Sequence, residues 1–126
     1  MVAKHLAQPL DRERLLDLYG DDTAYAADMF ETFLHDVVPQ FDSFNPLIQE
    51  QRWMDVYQLA HKLKPTLGLV GLSDLEAVMN DIESSAASPD PFQVQRMWHD
   101  FRANFTERIP IVYAEWQRYL RKQTSL

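Results

Sequence analysis

The sequence contains no cysteine, so disulfide bridges and cysteine-held zinc are excluded outright. That lack also fits a reducing compartment. Glycine is scarce, at three in 126 residues, and no alternating valine or isoleucine runs occur, which leaves strands hard to place. Basic charge is short as well. Twelve lysines and arginines against 19 aspartates and glutamates give a net charge of −7 and an isoelectric point near 4.9. Such a balance argues against nucleic acid as a partner, because phosphate binding needs a basic face. The longest run of purely apolar residues and glycine, Leu67 to Leu72, is far too short to cross a bilayer. The opening MVAKHLAQPL lacks the apolar stretch of a secretory signal. A soluble, cytoplasmic protein without membrane contact is the expectation. There is also no P-loop, glycine-rich nucleotide loop or G-x-S-x-G elbow, so ATP use by the chain itself is not expected.

What is present suits one globular domain over 1–126: 46% of residues are hydrophobic and 12% aromatic. Helical periodicity runs through nearly all of it. A short helix fits 12–19, capped by Asp11, with Leu15, Leu16 and Tyr19 as its apolar side and Gly20 as its stop. Asp21 or Asp22 then caps a long helix whose stripe is Phe30, Phe33, Leu34, Val37, Phe41 and Phe44; Pro39 and Pro46 should kink it or end it early. A third helix fits 51 to 69, with Val56, Leu59, Ala60, Leu63, Leu67 and Val70 on one side and Gly71 as its cap. Ser73-Asp74-Leu75-Glu76 reads as a capping box, opening a helix with Leu75, Val78, Met79 and Ile82 that fades in SSAASPDP. Asp90-Pro91 starts the last helix, striped by Met97, Phe101, Phe105, Ile109, Val112, Trp116 and Leu120 and bent at Pro110. Short connections between long amphipathic helices imply an all-α fold, an antiparallel four-helix bundle with a short additional N-terminal helix across one end.

The chemistry concentrates in LAHKLKPTLGLVGLSDLE, residues 59 to 76. At about 100° per residue, Met54, Tyr57, Lys64, Pro65 and Gly68 fall on the His61 side of the third helix, and the apolar set falls roughly opposite. His61 therefore faces out of the bundle. The bland alternative is a surface histidine among surface lysines. Imidazole, however, is a good nucleophile near neutral pH, and Lys64 one turn on offers positive charge for a phosphoryl group carried on the ring. Gly68 removes side-chain bulk, which lets a partner approach. Phosphoryl transfer needs mainly positioning and charge neutralisation, so a site this sparse can suffice.

AHKLKPTLGLVGL resembles the signature of histidine-containing phosphotransfer (HPt) domains of two-component phosphorelays, A-H-x-L-K-G followed by glycines where Gly68 and Gly71 stand. LYGDD, Pro39 and the final helix resemble the family too, so the likeness covers about residues 10–121. It implies that His61 accepts a phosphoryl group from a receiver-domain aspartyl phosphate and passes it to another receiver. It implies Lys64 as the phosphoryl-stabilising lysine, and Glu83, 22 residues after His61, as the carboxylate orienting the imidazole. The other reading of Glu83 is a solvated helix-face carboxylate. Partners implied are response-regulator receivers and a hybrid histidine kinase, docking on Met54, Tyr57, Pro65, Gly68 and the exposed edge of the first helix. No cofactor is expected on this chain, and Mg²⁺ belongs on the receiver. One position departs from the family: Pro65 stands where glycine is common, removing the N–H that would bond the His61 carbonyl. That keeps open an alternative, a non-catalytic helical-bundle adaptor that binds signalling partners without transfer. A kinase dimerisation domain fits less well, since Lys62 rather than an acid follows His61. Glu31 and His35, four apart, could share a metal, but no Glu-x-x-His pair supports a di-iron bundle, and no metal site is expected. His5 and His99 have no evident partners in the sequence.

Overall fold

The structure, a computed structural model, describes residues 9–124. Among these there is no strand. The sequence expectation of an all-α bundle holds, and His5 lies outside the described residues. Helix α1 spans Arg12–Tyr19 and begins where Asp11 accepts a hydrogen bond from the Arg14 N–H, at 3.0 Å. It ends at Gly20, whose φ of 53° is the left-handed geometry glycine tolerates. Leu15 and Tyr19 are buried, but Leu16 is 66% exposed. The expectation that Leu16 packs inward is therefore corrected: a helix of two turns presents only a narrow stripe to its neighbours.

Helix α2, Thr23–Thr32, is capped by Asp22 through the Tyr25 N–H. The expected long helix does continue beyond it, but not as α-helix. Residues Phe33–Val37 form a π-turn and Val38–Ser43 a 3₁₀ segment, before helix α3 resumes at Phe44–Gln49. Pro39 is the cause. It offers no N–H, so the chain re-registers just ahead of it, and the Val38 N–H reaches the Phe33 carbonyl five residues back. Pro46 does no such damage, because it is the third residue of α3, where the N–H is not needed. The whole path keeps one face inward, with Phe30, Phe33, Phe41 and Phe44 buried.

Helix α4 spans Trp53–Gly68 and runs unbroken through Pro65. Helix α5 spans Ser73–Ala87, ending within SSAASPDP as the sequence suggested, and α6 runs Pro91–Thr124 through Pro110. The turn from α4 to α5 is a Schellman closure, with Leu72 N–H on Leu67 O at 2.9 Å and Gly71 N–H on Gly68 O at 3.2 Å. Gly71 sits at φ 80°, as a cap should. The bundle buries one core in which Val56, Leu63, Met79, Ile82, Val94 and Phe101 are fully covered. Helix α1 lies across the α4–α5 end: Asp11 N–H donates to Gly71 O at 2.7 Å, and the Tyr19 hydroxyl to Leu69 O at 2.6 Å.

The capping box expected at Ser73–Glu76 does not form. Leu72 is the cap residue and has no side-chain cap bond. The Ser73 hydroxyl donates instead to Asp11 Oδ2 at 2.7 Å, and Glu76 faces Arg14 at 3.4 Å. Both side chains serve α1, because a neighbouring helix offers them stronger partners than their own N-terminus does.

Candidate functional site

Helices α4 and α5 form an antiparallel hairpin, and its register brings three pairs face to face. His61 meets Glu83, Lys64 meets Asn80, and Gly68 meets Glu76. The spacing of 61, 64 and 68 on α4 matches that of 83, 80 and 76 on α5, each about one helical turn apart.

The His61 side chain is 69% exposed, yet its Nδ1 lies 2.9 Å from Glu83 Oε2. Its inner nitrogen is thus engaged and Nε2 is the one left for solvent. Tyr57, one turn earlier, stacks parallel to the ring at 4° with centroids 6.4 Å apart. Glu83 is buried, 8% exposed, which rules out the solvated helix-face reading. Its other oxygen, Oε1, has Lys64 Nζ at 2.8 Å as an ion-pair contact but no aligned hydrogen-bond donor among the described residues. The Lys64 ammonium, set against the cost of burial, and then the His61 ring hold the Glu83 carboxyl below the ordinary carboxylate range. One carboxylate therefore serves two masters: it fixes the imidazole and tethers the lysine.

Lys64 also donates to Asn80 Oδ1 at 3.0 Å. Asn80 was not anticipated from sequence, and only the hairpin register could have revealed it. Met54 is 68% exposed and Pro65 is exposed. The structure thus brings His61, Lys64, Glu83 and Tyr57 together and leaves Met54 and Pro65 open to solvent.

Gly68 is different. It is buried, and a Cβ placed there would lie 2.3 Å from Arg14 Nη2 and 2.8 Å from Glu76 Oε1. The expectation of an open clearance for a partner is corrected: this chain's own Arg14 and Glu76 occupy that space. The remaining candidates do not assemble a site. His35 Nδ1 lies 3.9 Å from Glu31 Oε2 with both side chains exposed, and no group of three or more metal-ligating residues occurs among the described residues.

The helical bundle thus holds one solvent-facing imidazole against a buried carboxylate, with a lysine beside it. The family model of the Hpt domain matches residues 28–114, and the chain belongs to that family. Hpt domains are carriers in two-component phosphorelays and interact with receiver domains and histidine kinases. Neither among curated proteins nor among solved structures does any match the chain. No helix of the described residues is long and apolar enough to cross a membrane. The family match begins within α2, so α1 and Arg14 lie outside it.

Proposed function

We propose that His61 Nε2 takes the phosphoryl group from a receiver's aspartyl phosphate and returns it to the aspartate of another receiver. The observation that carries this is the 2.9 Å contact between His61 Nδ1 and buried Glu83. With Nδ1–H donating to the carboxylate, the Nε2 lone pair attacks phosphorus, an N–P bond forms, and the P–O bond to the aspartate breaks. Positive charge then develops on the ring, and Glu83 stabilises it without taking the proton away. The reverse sequence discharges the group. Lys64 supplies the positive charge for the phosphoryl oxygens, leaving its tether to Glu83 as that carboxylate turns to the charged ring. No hydrolytic or kinase step is assigned to the chain, and Mg²⁺ is assigned to the receiver.

The docking surface of this reading is Tyr57, Met54 and the outer edge of α1, where Leu16 is exposed. The adaptor reading draws on Pro65 alone. The unbroken course of α4 through that residue supports transfer instead, since it leaves His61 on Glu83.

The test is incubation with phosphorylated receivers from the same organism. Acid-labile label on the wild type, absent from His61→Gln, is the expected result. Tight receiver binding with no label on the wild type would favour the adaptor.

A further inference from the structure

Glycine is a poor helix former, and Gly68 sits inside the last turn of α4. Its missing side chain is used: Arg14 reaches from α1 across the glycine to Glu76 on α5, with Nη1 3.4 Å from Oε1. The pair thus lies flat over the helix about two turns beyond His61, on the same face. It is a loose cover. The two side chains are 39% and 26% exposed, and ion pairs of that length and exposure hold weakly. Beside it runs a groove of about 430 Å³ lined by Arg14, Lys64, Ser73, Glu76, Ala77 and Asn80. Both cations of that groove face acids of α5, Glu76 and Glu83, in a molecule whose net charge is −7. The groove therefore carries no excess positive charge, and Arg14, held loosely at 3.4 Å, is the cation for which a partner's carboxylate can compete.

We infer that Arg14 is a partner-selecting residue. In the free protein it covers Gly68 through Glu76, and a docking receiver domain draws it onto one of the receiver's own carboxylates, baring the glycine backbone. Glu76 is the internal competitor that the partner's acid must displace. This rests on the phosphorelay reading for the identity of the partner, but not on transfer itself.

Binding is therefore the readout, by isothermal titration with the receiver domain of the same organism that holds the wild-type protein most tightly. Variants Arg14→Glu, Arg14→Lys and Glu76→Gln are first checked for intact helicity and melting. Arg14→Glu is expected to weaken binding by at least about tenfold, with Arg14→Lys falling in between. Glu76→Gln is expected to tighten it by about two- to fivefold, because the competitor is gone. The opposite signs matter, since a merely structural role for the pair would weaken binding in both variants. Equal weakening in both, or an Arg14→Glu change within about twofold, overturns the inference. So does the absence of binding by any receiver. If binding shifts as expected while no receiver labels His61, the transfer reading fails and the role of Arg14 stands.

Discussion

Glu83 and Gly68 show how differently single residues can be read. The meeting of His61, Lys64 and Glu83 was foreseeable, Lys64 from its place one turn on and Glu83 from the resemblance to the Hpt family. Asn80 and Arg14 were not, because their roles arise only when α4 packs on α5 and α1 folds over the end. Two substitutions separate these roles. Glu83→Gln keeps an acceptor for His61 but removes the charge that steadies the ring, so the labelling rate is expected to fall on the order of tenfold or more. Stopped reactions with a phosphorylated receiver would measure it; an unchanged rate would deny Glu83 its part. Gly68→Ala has the better helix former and meets only the far ends of two side chains, Arg14 and Glu76, which must both shift. Its unfolding free energy in urea is expected to hold level or rise by up to about 1 kcal/mol. A clear loss of stability would mean that Arg14 and Glu76 cannot step aside.

Helix ends were legible where the residue type announces the geometry and hidden where it does not. The α3–α4 and α4–α5 turns close in the same way. Arg52 N–H bonds Leu47 O and Gln51 N–H bonds Ile48 O, as Leu72 and Gly71 do at the second turn. Gly71 signalled its turn, whereas Gln51 adopts φ 57° without any sequence mark. A left-handed non-glycine residue is strained, so Gln51→Gly is expected to raise stability by about 0.5–1 kcal/mol in urea unfolding. The Ser73–Glu76 pattern was the opposite case, a familiar helix-start signal whose side chains bond α1 instead. Pro39 was read correctly as an interruption, but the π-turn and 3₁₀ path that absorb it depend on the phenylalanines staying in the core. Pro65 does not break α4, though it still removes one backbone bond. Pro65→Ala is expected to stabilise the protein by roughly 1–3 kcal/mol, and calorimetric melting would check it.

The bundle as a whole followed from stripes of apolar residues, but the fastening of α1 did not. Glu115, only 4% exposed on α6, accepts from Arg12 of α1 at 2.6 Å and pairs with Arg118. It sits amid an otherwise apolar stripe, and nothing in the sequence marks it as the anchor. Burial pushes its carboxyl up, and the Arg118 and Arg12 hydrogen bonds more than reverse this, bringing it to about 2 from an ordinary 4.5. Since the folded value is the lower one, the stabilisation is present above about pH 4.5 and is lost as pH falls toward 2. Its size is roughly 2–3 kcal/mol at most, discounted because both arginines are partly exposed. Urea unfolding between neutral and acid pH should therefore show a decline that Glu115→Gln makes shallower; an identical slope in the variant would remove Glu115 as the anchor of α1. Glu83 shifts in the same direction, so the site and the α1 clasp weaken together in acid. Glu83 holds Nδ1 of His61, and the proposed transfer rests on the claim that Nε2 is thereby presented to the receiver. Phosphorus–nitrogen NMR of the ring-labelled phosphoprotein tests that claim most directly. The expected result is a phosphoryl group on Nε2 of His61, and a phosphoryl group on Nδ1, or on another residue, would contradict it.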